Sequence, residues 1–399
     1  MTVRRADVRK ASLLGPAGEG TINHLLAKWD GVTLTEEWRY GHSHGAEFVT
    51  AGASGVSYVS ATDGDQITIR ALDHRRRQLW VKTTLDHGET VRWGAIAKRV
   101  TSDGYLYAVT VEQQAGPTLD KGVLNVAKID VSDGSVTWTK QGAYEALEIA
   151  DGGNGANYEC ICDINEADQL FVAMTDPSLS SSERSVLMRI SATDGSVDWS
   201  TTMSHGGSPV HVADLAGFAS SVGIVGHIGS GGPNNGMVRT YSAAGAASYT
   251  SVTKSDVHQI EFADELGSPV SDESLVIGSA DDNLTESDLV WSLSPAGLNY
   301  RDRFGPTNAR NYSGVPSRDG YIYATDIGGG DTELRRYELD NISSASPYDD
   351  ADFNQTGSTL DLSGTTWGGR HSFGADDVRL HMMSVYGTGS EVWIHMLKG

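Results

Sequence analysis

Ile129-Asp130-Val131-Ser132-Asp133-Gly134-Ser135-Val136-Thr137-Trp138 is the stretch that decides the fold. One strand ends in an apolar residue and Asp, a turn follows, and a second strand carries an aromatic. Asp-Gly suits such a turn, because Gly accepts positive φ and Asp bonds to nearby backbone. Ile190-Ser191-Ala192-Thr193-Asp194-Gly195-Ser196-Val197-Asp198-Trp199 repeats it without a gap. The same spacing joins Trp29-Asp30 to Trp38 and Leu339-Asp340 to Tyr348, and Leu72-Asp73 to Trp80 is one residue shorter. Weaker copies run from Ser242 to Tyr249 and from Ser294 to Tyr300. Trp38, Trp80, Trp138, Trp199, Tyr249, Tyr300 and Tyr348 are therefore read as structural anchors. Each would fill the gap between neighbouring sheets and bury roughly 150–250 Å².

A second kind of hairpin lies between these copies. It appears as Val91 to Val111, turning at Ser102-Asp103-Gly104, and as Tyr158 to Met174. Further copies are Val210 to Ile228, Val257 to Gly278, Tyr312 to Asp326, His371 to Val385 and Phe48 to Ser60. Two hairpins per unit predict an all-β chain: a single β-propeller of about seven four-stranded blades. It would span residues 21–399, after a tail of residues 1–20. The hairpin Ile22–Tyr40 precedes any complete unit, and the last unit, Trp367–Leu397, lacks an aromatic strand. Pairing the N-terminal and C-terminal strands would close the ring and leave no open sheet edge. Ile22–Asp30 and Glu391–Leu397 compete for the third position of that blade. Eight blades, or a five-stranded closing blade, therefore stay open.

The apolar-Asp-turn-Gly-x-x-x-Trp element resembles the repeat of pyrroloquinoline-quinone-type (PQQ-like) propellers and, more loosely, that of WD-repeat propellers. Ile129–Trp138 and Ile190–Trp199 match it best, and the resemblance runs from about Ile22 to Leu397. It implies a fold and not a function. Quinoproteins of that family hold their cofactor and calcium on the axis with a vicinal disulfide. Cys160 and Cys162 are not adjacent, so the resemblance does not carry over the site, and no cofactor is expected.

Asp and Glu number 52 against 30 Lys and Arg, a formal charge of -22. Such a chain repels phosphate backbones, so nucleic acid is not an expected partner. Only nine of the basic residues are Lys. That balance resembles proteins of salt-loving archaea and their viruses, whose hydrated carboxylate surface stays soluble in high salt. No apolar run of about 20 residues appears, so membrane insertion is not expected. Arg4-Arg5 is not followed by an apolar core, so residues 1–20 do not read as a signal peptide. Cys160 and Cys162 share one face of a strand and read as buried thiols.

Chemistry is harder to find. His211, His258 and His371 fall on first strands of different units and could converge on the axis. A metal needs three or four ligands with supporting partners, so no metal site is assigned. Asp281-Asp282-Asn283 and Asp349-Asp350-Ala351-Asp352 lack the spacing of a calcium loop. Gly-x-Ser-x-Gly, phosphate-loop, dinucleotide and His-Glu-x-x-His motifs are missing. The expectation is therefore a protein that is not an enzyme, with no catalytic residues. It would be a structural or interaction protein, a spike, turret, tail or baseplate subunit in the virion of a haloarchaeal virus. Its partners would be other protein subunits, and homo-oligomers stay open. They would be met through the loops Gln114–Gly122, Asp176–Ser185, Gly229–Gly236 and Asp349–Gly364. One rival is a cytoplasmic protein-binding scaffold. The other is a propeller enzyme, a lyase or glycoside hydrolase, with an axial site drawing on Glu47, Glu159, Asp214 or Glu261.

Overall fold

In the computed structural model the described residues form strands between Thr35 and Lys398, with side chains described for most positions from Thr50 to Thr250. All regular structure among them is β, apart from one isolated 3-10 position at Gly55. β1 spans Thr35–His42. β2 (Ala46–Gly52), β3 (Val56–Asp63), β4 (Gln66–Leu72) and β5 (Gln78–Thr84) then form a four-stranded antiparallel meander. A second consists of β6 (Thr90–Ile96), β7 (Tyr105–Gln114), β8 (Asp120–Asp130) and β9 (Val136–Ile149).

The third meander is β10 (Cys160–Ile164), β11 (Leu170–Thr175), β12 (Ser185–Ile190) and β13 (Val197–His205). The fourth is β14 (Ser208–Phe218), β15 (Ser221–Ile228), β16 (Gly236–Ser242) and β17 (Ala247–Thr253). These two run on as one eight-stranded sheet, because Ser204 and His205 pair with Pro209 and Ser208. The fifth is β18 (Val257–Phe262), β19 (Ser274–Ser279), β20 (Asp288–Ser294) and β21 (Gly297–Phe304). The sixth is β22 (Arg310–Pro316), β23 (Tyr321–Gly328), β24 (Asp331–Glu338) and β25 (Leu360–Asp361).

The last sheet contains β26 (Thr365–Trp367), β27 (Phe373–Ala375), β28 (Arg379–Tyr386) and β29 (Glu391–Lys398). β1 pairs antiparallel with β29, from Thr35 opposite Lys398 to His42 opposite Val392. Glu391–Lys398 thus stands between β28 and the N-terminal strand. Ile22–Asp30, its competitor for that position, lies outside the described residues. β26 and β27 pair with successive stretches of the same strand β28, so this five-stranded sheet has four strand positions.

First strands pack on first strands from sheet to sheet: β2 on β6, β6 on β10, β10 on β14, β14 on β18, β18 on β22, β22 on β27, and β27 on β2. The apolar patterning explains why the sheets stack face to face. Strands buried on both faces read as continuous apolar runs. Leu170-Phe171-Val172-Ala173-Met174 in β11 is one, and its side chains alternate between two cores. Leu170, Val172 and Met174 join a core shared with the first two sheets, while Phe171 and Ala173 join a core shared with the fourth. Cys160 and Cys162 both face the first of these cores and are buried.

Candidate functional site

The anchor aromatics define how one sheet meets the next. Trp80, Trp138 and Trp199 each stand one place after a β-bulge in the fourth strand of their sheet. Each ring lies against an aromatic of its own second strand: Tyr58 at 5.7 Å, Tyr107 at 6.1 Å and Phe171 at 6.2 Å between centroids. Each indole N–H donates to a turn carbonyl of the following sheet, Val131 at 2.9 Å, Ala192 at 3.1 Å and Ala243 at 2.8 Å. Each ring also covers the turn glycine there, Gly134, Gly195 or Gly245, all at positive φ. A Cβ on these glycines would meet the ring at 2.7, 2.6 and 2.9 Å. Tyr249 holds the corresponding bulge position in β17, half-buried. Trp38 lies on β1 and Tyr300 on β21, also beside bulges. Tyr348 lies outside the described residues, and the strand beside β24 is Leu360–Asp361.

A polar knot ties the first strands of three sheets. Lys98 and Arg99 sit in the turn after β6. Lys98 Nζ donates to Asp214 Oδ2 at 2.8 Å, with only 7% and 3% of the side chains exposed. Asp214 belongs to β14, two sheets further on, so the lysine reaches past β10. Asp214 Oδ1 accepts the Leu215 N–H at 2.8 Å. The Arg99 guanidinium donates to Asp163 Oδ2 at 3.2 Å, to the Gly217 carbonyl at 2.5 Å and to the Ile164 carbonyl. Asp163 Oδ2 also accepts the Gly217 N–H at 2.9 Å. Burying these charges is costly, and partners at hydrogen-bond distance offset the cost. Burial pushes the neighbouring Cys162 thiol up, nearby Asp163 adds to this and Lys98 opposes it. A thiol held protonated is a poor nucleophile. Asp214, named among the axial carboxylates by sequence, is thus an ion-pair partner. Lys98, Arg99 and Asp163 were missed, although a Lys-Arg pair directly after Ala95-Ile96-Ala97 stands out in a lysine-poor chain.

Because successive strands are antiparallel, each sheet has two distinct ends. First strands begin, and second-to-third connections emerge, at one end; the Asp-Gly turns lie at the other. Residues 115–119, 176–184, 229–235 and 280–287 are all second-to-third connections, and they come from the second, third, fourth and fifth sheets. In the first, sixth and last sheets the same connection is short: residues 64–65, 329–330 and 387–390. The loop Asp349–Gly364 lies outside the described residues apart from Leu360–Asp361. First strands carry β-bulges near their starts, and the extra residues are Glu47, Arg92, Ala213, His258 and Tyr312. Bulges re-aim side chains and gather beside active sites. Glu159 and His371 lie outside the described residues.

No protein-family model matches the chain, and no curated protein does. Solved structures do. A streptogramin B lyase structure aligns with a TM-score of 0.51 and 12% identity, covering 90% of this chain and 98% of its own. The fold is that of a β-propeller. The Dos1 propeller aligns at 0.47 and 10% identity, over 92% of this chain and 96% of its own. A polysaccharide lyase, Uly1, aligns at 0.47 and 10%, over 93% and 94%. At these identities the likeness concerns the fold alone.

The expectation of a chain that is not an enzyme is corrected by this comparison. The fold it shares is one on which a lyase is built. The physical reason is plain. The missing nucleophile-elbow, phosphate-loop and dinucleotide motifs belong to strand–helix junctions, which an all-β meander does not form. Their absence therefore carries no information about catalysis here.

Proposed function

We propose that this chain is a closed seven-bladed β-propeller that takes a macromolecular partner on the end where its first strands begin. Closure is supported by the pairing of β1 with β29 and by the first-strand contacts that return from β27 to β2. The observation that carries the binding reading is that the second-to-third connections of four consecutive sheets, five to nine residues long, all emerge at one end. Loops carried on a rigid scaffold suit recognition of a large surface. The partner we propose is another protein subunit, since the charge of -22 disfavours nucleic acid. Display on a virus particle of a halophile is the setting we propose, and the acidic, lysine-poor composition is its support.

A second reading places an active site at the same end. The bulged residues Glu47, Arg92, His258 and Tyr312 favour it, being groups that hold charge or move protons. Electron cryomicroscopy of the protein in its native assembly separates the two. Contact through at least one of the four loops, over roughly 1,000 Å² or more, is the expected result. Contact through the opposite end, with all four loops in solvent, overturns the binding reading. A small molecule seated among the bulged residues establishes the second.

A further inference from the structure

β5 stands at the edge of the first sheet: among the described residues it pairs with β4 alone. Trp80 turns from this strand into the core. Leu79 and Val81, on either side of it, are 51% and 46% exposed, the two large apolar side chains left in solvent among the described residues. The fourth strands of the next three sheets differ, although each carries the same bulge beside its anchor. Thr137 and Thr139 flank Trp138, Asp198 and Ser200 flank Trp199, and Ser248 and Thr250 flank Tyr249, all exposed. The same positions are thus polar in three sheets and apolar in one. Packing within the chain does not account for the difference, because the positions face solvent in all four.

The same edge is basic within an acidic chain. Residues 70–85 carry Arg70, Arg75, Arg76, Arg77 and Lys82 against Asp73 alone. The Asp73 carboxylate is held inside its own turn. It accepts the backbone N–H groups of Arg75 at 2.9 Å and Arg77 at 2.8 Å, and pairs with the Arg77 guanidinium at 2.7 Å. Arg75 and Arg77 stay exposed in the turn that leads into β5. A strand edge offers its outward N–H and C=O groups to another strand. Strand addition draws affinity from those groups and specificity from the side chains beside them.

We propose that β5 takes an extended, acidic segment of a partner protein as a fifth strand of the first sheet. Apolar side chains of that segment would lie beside Leu79 and Val81, and its carboxylates would meet Arg75 and the neighbouring cations. This surface is the outer edge of a sheet, separate from the loop-bearing end. A second copy of the chain fits it less well. Two apolar side chains on a seven-residue strand supply little of the roughly 1,200–2,000 Å² that a stable interface buries. A lysine on an edge strand, here Lys82, also discourages pairing with an identical edge. Nucleic acid would meet the arginines but would leave Leu79 and Val81 unused, and the charge of -22 repels it.

The test uses the full chain and a fluorescent peptide of seven alternating Val and Thr residues, the length of β5, with a Glu pair at each end. Saturable binding by anisotropy is expected, weaker when Lys replaces Glu in the peptide. Leu79→Thr with Val81→Thr gives the first sheet the polar pattern of the others, and should weaken binding about tenfold, the scale of two lost cross-strand apolar pairs. Arg75→Glu should weaken the Glu-flanked peptide and strengthen the Lys-flanked one. Thr137→Ala with Thr139→Ala, on the second sheet, should change neither. If a substitution unfolds the chain, hydrogen exchange of the unaltered protein decides, with the amides of residues 78–84 protected on addition of the Glu-flanked peptide. Absence of saturable binding, equal binding of the two peptides, binding indifferent to the double Thr substitution, or unprotected amides in β5 overturns the proposal. So does displacement of the peptide by a single-stranded oligonucleotide, or self-association of the free chain that the double Thr substitution abolishes.

Discussion

The indole of Trp138 lies over Gly195 of the next sheet and donates its N–H to the Ala192 carbonyl at 3.1 Å. One side chain thus reads both the shape and the hydrogen-bonding capacity of a turn 54 residues away. Trp138→Ala removes a partly buried ring and should cost roughly 1–3 kcal/mol in urea unfolding. Trp138→Phe keeps most of the packing and loses the hydrogen bond, and should cost less, with about 1 kcal/mol for the bond itself. Gly195→Ala places a Cβ 2.6 Å from the ring at a φ of +74°, and should destabilise as well. Unchanged unfolding midpoints for Trp138→Ala and the equivalent Trp199→Ala would remove the anchors from the account.

Lys98 and Asp214 make the corresponding test of the polar knot. Lys98→Met leaves a buried carboxylate without its cation and should cost about 3–5 kcal/mol. Adding Asp214→Leu removes the orphaned charge and should recover much of the loss. A double variant as unstable as the single one, in the same urea titration, would show that the pair is not what joins these sheets.

Asp133 and Asp194 link the turns to pH. Hydrogen bonds from Ser135 and Ser196 hold their carboxyls below the ordinary value of 3.8. A carboxyl lowered in the folded state stabilises fully above its unfolded value, and that stabilisation is lost as pH falls through the folded value. Stability should therefore decline on acidification below about pH 4. Asp133→Asn combined with Asp194→Asn should flatten that decline while lowering stability at neutral pH. Both carboxylates are exposed, so the effect should be small and is best read from melting temperatures across pH. Curves of identical slope for the variant and the parent would contradict it.

Much of this architecture was legible in the sequence because its signals are local. Period-two apolar runs and Asp-Gly turns announce hairpins within a dozen residues, and Trp80, Trp138 and Trp199 each donate to a turn of the next sheet. What escaped is non-local or lies in backbone irregularity. Lys98 and Asp214 are 116 residues apart, and nothing near either names the other. The extra residues at Glu47, Arg92 and His258 break no visible pattern, since a bulge inserts one residue without changing the turn chemistry. Leu360–Asp361 beside β24 was hidden because two residues are too few to show alternation. Catalysis was misjudged because the motifs sought belong to other folds.

In the proposed ring, the N-terminal strand completes the last sheet and closes the propeller. Arg39 and His395 are paired residues of β1 and β29. Cysteines at both positions, Arg39→Cys with His395→Cys, should form an intramolecular disulfide on mild oxidation, since paired strand positions lie within bridging range. The crosslinked monomer should melt higher than its reduced form, because the link constrains the unfolded chain. Failure to crosslink, or crosslinking only between molecules, would contradict closure within one chain.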